Sequence, residues 1–232
     1  MRFIVLLLAL VAAPVTAESL PRLEERGEVV QLIVDDEPFL ILGGELGNSS
    51  ATDRAFMAER WTKLRDMNLN TVLAPVYWEM VEPQEGRFDF SVVDGMIEDA
   101  RVHDMRLVLL WFGVWKNSMS SHVPTWVKRD SERFPRTLGG DGRAQEILSA
   151  YSVQTRDADA RAFAALMRHL KEIDAEQRTV IMVQVENEIG FLPFAKEGGQ
   201  GDDAAADERD MARGYAEFVE AVTAAGKAQY DL

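Results

Sequence analysis

Short apolar runs alternate with amphipathic segments along most of the chain. The predicted strands are Phe39 to Leu42, Thr71 to Trp78, Arg106 to Phe112 and Thr179 to Val183, and an N-terminal hairpin that starts at Val29 leads into the first of them. Each predicted strand is followed by a segment with apolar residues at helical spacing. Strands that alternate with helices in this way are typical of a parallel α/β fold. The pattern therefore predicts the first four β-α units of a (β/α)8 TIM barrel.

The helix starts are predicted from capping residues. Thr52-Asp53 is expected to cap a helix in which apolar residues recur at helical spacing, namely Phe56, Met57, Trp61, Leu64 and Met67. Ser91 to Asp94 resembles a capping box, which predicts a helix that runs to His103. Two further helices are predicted, over Asp157 to Ile173 and over Asp207 to Ala225, with an irregular insertion before the first of these.

The first 17 residues have the pattern of a secretory signal peptide. Arg2 precedes an apolar run from Phe3 to Val11, and small residues follow up to Ala17. The run is shorter than the ~20 residues that a membrane span needs, and no other stretch qualifies. We therefore expect an exported protein, periplasmic or extracellular, without a membrane span. The remaining residues, 18–232, are expected to form the N-terminal half of a (β/α)8 domain.

Composition narrows the range of ligands. The chain has 232 residues, no cysteine and a formal net charge of -14. Disulfide scaffolds and thiolate metal sites are therefore excluded, and the negative charge disfavours nucleic acid and anionic membranes. The three histidines, His103, His122 and His169, are not at ligand spacing, so we predict no metal and no cofactor. A neutral or cationic ligand fits better.

The fourth predicted strand ends in an amide next to a carboxylate. Val183 is followed by Gln184-Val185-Glu186-Asn187-Glu188. Because side chains alternate along a strand, Gln184, Glu186 and Glu188 are expected to share one face, which turns polar where the apolar strand ends. The carboxyl ends of parallel strands are the usual place for ligands. Glu186 and Glu188 are thus candidate catalytic residues, and a buried structural salt bridge with Asn187 as a turn cap is the alternative for either.

Aromatic and acidic residues also cluster at the other strand ends. Aromatic rings can stack on the apolar face of a sugar ring while carboxylates and amides hold its hydroxyl groups. Tyr77 and Trp78 end the second predicted strand, and Trp115 with Asn117 follows the third. Their shared position favours a sugar pocket over a set of unrelated core residues.

Three motifs resemble the β-galactosidases in family 35 of the glycoside hydrolases. Tyr77 to Phe90 is similar to the second-strand motif of that family, and Val183 to Glu188 is similar to its fourth-strand motif. Leu109 to Asn117 resembles a bacterial branch. The resemblance spans about Leu20 to Leu232.

The resemblance implies a retaining mechanism with two carboxyl groups, acting on terminal β-galactosides. Glu188, after the fourth-strand asparagine, would be the general acid/base, and Asn187 would bind the hydroxyl next to the anomeric carbon. By similarity, the sugar pocket would include Tyr77, Trp78, Glu82, Trp115 and Asn117. Pro75 stands where many relatives place a pocket tyrosine, so the sugar specificity is left open.

The catalytic nucleophile of the family is a second glutamate at the end of the seventh strand. No such strand is visible before Leu232, so the nucleophile is expected beyond this residue, in a part absent from a truncated chain. Glu45, Glu79 and Glu82 lie at strand ends but have no precedent in that role. We therefore expect the chain as given to be inactive as a hydrolase. The alternative function is a secreted, non-catalytic carbohydrate-binding half-barrel remnant.

Overall fold

The computed structural model describes residues 19–139, 142–189 and 204–230, with side chains described from residue 212 onward in the last range. The chain divides into two compact units, one ending at Phe39 and one starting at Leu40. The predicted signal peptide lies outside the described residues. In the first unit, β1 (Arg22–Arg26), β2 (Val29–Val34) and β3 (Glu37–Pro38) form an antiparallel sheet in that order.

The second unit carries the parallel sheet. Its elements are, in chain order, β4 (Gly43–Glu45), α1 (Arg54–Asp66), β5 (Thr71–Tyr77), α2 (Trp78–Val81), α3 (Ser91–Val102), β6 (Arg106–Phe112), α4 (Thr125–Arg129), β7 (Arg136–Leu138), β8 (Ala144–Leu148), α5 (Val153–Asp174), β9 (Val180–Val185) and α6 (Ala204–Lys227). The four parallel strands are arranged in the order β4-β5-β6-β9. Sequential parallel strands with helices between them are the arrangement of consecutive units in a (β/α) barrel.

The first strand of this sheet differs from the prediction. We expected Phe39 to Leu42 to open the sheet, but the strand that pairs with β5 is β4, at Gly43–Glu45. Glycine explains the position, because a Cβ on Gly44 would lie 2.9 Å from the Leu69 side chain. The two glycines let this strand approach its neighbour closely, which a larger residue would prevent.

The helix starts agree with the prediction at α1 and differ at α3. Asp53 is the N-cap of α1, and its carboxylate accepts hydrogen bonds from Ala55 N at 2.7 Å and Phe56 N at 3.3 Å. The predicted capping box at Ser91 is wrong. Phe90 is the N-cap residue of α3 without a side-chain cap, and Ser91 N donates to Asp89 Oδ1, two residues earlier.

The core lies around the central strands. In β6, every residue from Leu107 to Phe112 is buried, as expected for a strand covered on both faces. In β9, Ile181 is buried but Met182 is 42% exposed, because among the described residues only β6 pairs with this strand. The insertion before α5 is more regular than predicted, since it contains α4 and the β7–β8 hairpin. Within the described ranges, no helix has the length and apolar character of a membrane span.

Candidate active site

The candidate site lies where β9 ends and the chain turns. Glu186 and Glu188 both have positive φ angles, of 62° and 48°, so the extended conformation stops at Val185. Our expectation that Gln184, Glu186 and Glu188 share one face is therefore wrong. The turn buries Glu186, which is 2% exposed, while the Glu188 side chain is 60% exposed. The two carboxyl groups thus have different environments, which is how two acidic residues acquire different roles.

Lys116 links the two predicted catalytic-site residues. Its ammonium group donates to Asn187 Oδ1 at 2.7 Å and lies 3.6 Å from Glu188 Oε2. The Lys116 side chain is only 8% exposed, and its Nζ is also 5.0 Å from the centre of the Phe112 ring. Because the ammonium occupies the amide oxygen of Asn187, the amide NH2 is the end left to donate to a ligand. This arrangement suits a residue that must bind a hydroxyl group.

The loop after β6 also holds the backbone of the turn. Ser118 donates to the carbonyl oxygen of Glu188 through its N–H at 3.1 Å and through its hydroxyl at 3.0 Å. Asn117 and Ser118 both have positive φ, and Asn117 is exposed. The third-strand and fourth-strand motifs therefore meet in space, and Asn117, Asn187 and Glu188 lie in one region.

Glu186 forms a buried carboxyl pair with Asp159 of α5. Both side chains accept a hydrogen bond from Val114 N, Asp159 at 2.9 Å and Glu186 at 3.1 Å, and Asp159 is fully buried. Burial raises the pKa of Asp159, and burial together with the nearby Asp159 charge raises the pKa of Glu186 well above its ordinary value. The alternative reading of Glu186 as half of a salt bridge is thus replaced by a pairing of two acids.

The remaining predicted pocket residues lie inside the protein. Trp78 and Glu82 are both fully buried, and the indole N–H donates to Glu82 Oε2 at 2.9 Å. Trp115 is fully buried against Tyr215 and Phe218 of α6. The structure brings Trp78 and Glu82 together. Trp115, in the loop after β6, packs separately against α6. Contact of these three with a sugar stays a prediction.

Tyr77 and His122 form an aromatic group at the ends of β5 and β6. Their ring centres are 5.1 Å apart, and His122 also packs against Phe112 at 5.5 Å. Burial raises the pKa of Tyr77 to about 12, so its hydroxyl group stays protonated. His122 Nδ1 lies 3.1 Å from Glu79 Oε1, and this hydrogen bond, with Lys128, lowers the Glu79 pKa. Among the described residues, no group of three or more His, Cys, Asp or Glu side chains could hold a metal ion.

Sequence reasoning missed Lys116 and Asp159. Lys116 stands between Trp115 and Asn117, inside a motif that was already identified, so its position in the loop was the available signal. Asp159 precedes Phe163 by four residues and lies on the apolar stripe of α5. An acid on an apolar helix face was the signal there.

A family model matches this site and most of the sheet. The model of the glycoside hydrolase 42 family, described as beta-galactosidase, matches residues 48–196, which is more than half of the chain. The chain belongs to this β-galactosidase family. The prediction of a β-galactosidase-type glycoside hydrolase is therefore confirmed, while the narrower prediction of family 35 and its bacterial branch is not, because the matching model is that of family 42.

Relatives and solved structures agree with the family. The chain is 30% identical over 196 residues to a beta-galactosidase of Xanthomonas manihotis, covering 80% of this chain and 29% of that one. It is 24% identical over 183 residues to the human beta-galactosidase-1-like protein 2, covering 71% and 26%. The chain thus spans less than a third of the length of these curated relatives.

A solved structure is similar in fold. The crystal structure of a β-galactosidase from Bacillus circulans sp. alkalophilus superposes on this chain with a TM-score of 0.51 and a sequence identity of 20%. The match covers 66% of this chain and 22% of that one, and it supports the barrel fold.

Proposed function

We propose that the protein hydrolyses terminal β-galactosides with retention of configuration and that Glu188 is the general acid/base. The observation that carries this proposal is the exposed Glu188 carboxyl next to Asn187, whose amide is oriented by Lys116 at 2.7 Å. The site lies at the carboxyl end of β9, which is the face that binds substrates in barrel enzymes. Membership of a β-galactosidase family supports the galactoside as substrate.

The chemistry assigned to each residue follows from its position. The Glu188 carboxylic acid would protonate the glycosidic oxygen as its bond to the anomeric carbon breaks, and the resulting carboxylate would then deprotonate the attacking water. Asn187 would donate its amide N–H to the neighbouring sugar hydroxyl, a bond that strengthens in the oxocarbenium-like transition state. Lys116 keeps that amide oriented without touching the substrate.

The nucleophile is not assigned to a residue of this chain. Glu82 is fully buried and accepts hydrogen bonds from Trp78 Nε1 and Gly86 N, and Glu79 is paired with His122 and Lys128. Glu82 is thus enclosed, and the Glu79 carboxyl is held by its two partners. We propose that this second carboxyl belongs to a part of the protein outside the 232 residues, so that these residues by themselves give no turnover.

Substitution of Glu188 in the full-length protein tests the assignment. Glu188→Gln should lower kcat/KM for an alkyl β-galactoside by about 10²- to 10⁴-fold, the range of general acid/base catalysis. A dinitrophenyl galactoside should lose much less in the first chemical step, because its leaving group needs no proton. Added azide should restore turnover and give β-galactosyl azide, since an anionic nucleophile needs no general base.

The control is Glu59→Gln, which removes the same charge from a side chain 79% exposed on α1. This variant should keep the wild-type rate on both substrates. Equal activity of Glu188→Gln and wild type on the alkyl galactoside would refute the acid/base role. Galactoside binding without turnover, unchanged by Glu188→Gln, would instead identify a carbohydrate-binding remnant.

We also propose that the protein is exported and acts in the periplasm or outside the cell. The support is the pattern of a charged Arg2, an apolar run and small residues before Ala17. Sequencing the N-terminus of the protein recovered from the periplasm or the medium tests this. A mature chain that begins at Glu18 is expected, and recovery of protein with Met1 intact in the cytoplasm would refute the proposal.

A further inference from the structure

The buried carboxyl pair beneath the candidate site receives three N–H donors from β6 and the loop after it. Trp111 Nε1 donates to Asp159 Oδ1 at 2.8 Å, and Trp115 N donates to Glu186 Oε2 at 2.8 Å. The N–H of Val114 lies between the two acids, at 2.9 Å from Asp159 Oδ2 and 3.1 Å from Glu186 Oε1. Each of the four carboxyl oxygens thus accepts a hydrogen bond from outside the pair.

Within the described part of the chain, no lysine, arginine or histidine forms an ion pair with either acid. Lys116 is directed to Asn187 and Glu188. The arginines of α5 near Asp159 are paired elsewhere, Arg156 with Asp157 and Arg161 with Glu85.

The other described elements near the pair direct their polar and aromatic groups elsewhere. Glu82, at the end of α2, is held by Trp78 and Gly86, and α6 presents Tyr215 and Phe218 to the Trp115 ring. Two buried carboxylates without a cation repel each other strongly. Both carboxyl groups meet at the single Val114 N–H, and one proton on the pair removes the repulsion of two carboxylates held at the same donor.

We propose that Asp159 and Glu186 share a single proton and that this proton-linked pair is the positioning device that fixes Asn187 and Glu188 against the loop after β6. The positioning role rests on the function proposed above, whereas the shared proton does not. Three elements are joined at this point, because Asp159 lies in α5, Glu186 follows β9 and the donors belong to β6 and its loop.

Two features of the backbone show how closely the pair is enclosed. A Cβ on Gly113 would lie under 3.0 Å from carboxyl oxygens of both Glu186 and Asp159. Glu186 itself has a φ of 62°, a conformation that costs free energy for a residue other than glycine and must be held by its surroundings. Asn187 and Glu188 follow directly, so the bonds that hold Glu186 also set the direction of both side chains.

Single amide substitutions mimic the shared proton. In Asp159→Asn or Glu186→Gln, the new NH2 group can donate to the remaining carboxylate, while one carboxamide oxygen and two carboxylate oxygens still accept the three N–H groups. The double variant cannot do this, because two NH2 groups must then face each other or face Trp111 Nε1 or Trp115 N. All three variants keep the size of the side chains.

Infrared difference spectroscopy of the full-length protein near neutral pH tests the shared proton. The C=O stretch of a protonated carboxyl group should be present in wild type and lost in Asp159→Asn and in Glu186→Gln, because each leaves only an ionised carboxylate. The control is Asp174→Asn, which removes a buried carboxylate of the same helix that is ion-paired with Arg101 at 2.6 Å. This control should leave the band in place. A band that survives both single substitutions overturns the proposal.

Turnover tests the positioning role. Each single amide variant should keep kcat for an alkyl galactoside within about threefold of wild type, and the double variant should lose about a hundredfold, the effect of misplacing a catalytic group by about 1 Å. A double variant as active as the single ones overturns the positioning role. If the full-length protein hydrolyses no β-galactoside but the band behaves as expected, only the proposed function fails.

Discussion

At the scale of single residues, Lys116 holds the amide of Asn187 in the turn after β9. Lys116→Met should lower kcat/KM by about ten- to a hundredfold, because it removes a charged hydrogen bond of about 1.5–3 kcal/mol. Without the ammonium at 2.7 Å from its Oδ1, Asn187 is free to flip its amide and lose the bond that we propose it makes to the sugar. Steady-state kinetics of the full-length variant on a β-galactoside checks this.

Thermal unfolding and a surface variant serve as controls for Lys116. Lys63→Met removes an equal charge from an exposed position of α1 and should leave both kinetics and unfolding unchanged. Unchanged kcat/KM in Lys116→Met would contradict the orienting role. A parallel loss in both variants would point to net charge instead.

Gly113 is a second residue whose identity is set by its surroundings. Gly113→Ala should destabilise the protein by about 1–3 kcal/mol, the usual effect of overpacking a core. The new Cβ would lie under 3.0 Å from Glu186 Oε1, Asp159 Oδ2 and the Trp111 indole nitrogen, and none of these can move far in a buried pair. The midpoint of urea unfolding is the measurement.

A matched glycine gives the opposite expectation. Gly95 lies within α3, where the three atoms nearest to an added Cβ all belong to the Arg54 side chain, the closest at 3.1 Å. Gly95→Ala should therefore stabilise by about 0.5–1 kcal/mol through helix propensity. If both substitutions changed stability in the same direction, enclosure by the carboxyl pair would not be the reason for Gly113.

At the scale of elements, the start of α1 depends on one side chain. Asp53→Ala should destabilise by about 1 kcal/mol, because the carboxylate accepts from Ala55 N and Phe56 N. Ser91→Ala should have little effect, since Phe90 occupies the N-cap position of α3. Urea unfolding of the two variants checks the difference. An equal loss of stability in both would show that Ser91 caps α3, as the sequence suggested.

The elements show which local signals are reliable. Local sequence was sufficient to predict β5, β6 and the cap of α1, because an apolar run and a capping aspartate depend only on adjacent residues. The first strand of the sheet was misplaced because Gly43–Glu45 has no apolar pattern at all. Its pairing depends on the close approach that glycine allows, and that approach is set by β5, which is distant in sequence.

At the scale of the whole molecule, the shared proton predicts a pH dependence of stability. The pKa values of Asp159 and Glu186 are raised by burial, whereas unfolded carboxyl groups ionise near about pH 4. Between about pH 4 and the raised pKa, the folded protein holds a proton that the unfolded chain has released. The free energy of unfolding should therefore fall as pH rises through this window, by up to about 1.4 kcal/mol per pH unit.

Urea unfolding of wild type and Asp159→Asn across this pH range checks the prediction. The contribution of the pair should be fully present below about pH 4 and lost as pH rises through the raised pKa. Asp159→Asn carries no shared proton, so its free energy of unfolding should depend less steeply on pH, by the slope that one bound proton contributes. Parallel curves would show that the pair holds no extra proton when folded.

The sequence by itself determined the alternation of strands and helices and the adjacency of Asn187 and Glu188. These follow from local patterns, because the alternation of apolar residues and the order of the chain are already present before folding. The resemblance of the strand-end motifs also indicated a β-galactosidase-type glycoside hydrolase, which the family match confirms.

Only the tertiary structure decided which of the two glutamates is exposed and what each one contacts. The positive φ angles of Glu186 and Glu188 break the strand alternation, so one side chain turns inward to Asp159 and the other outward to Lys116. Asp159 is 27 residues away from Glu186 along the chain. The physical reason is that burial and pairing of charges depend on neighbours that only the packing of α5, β6 and β9 brings together.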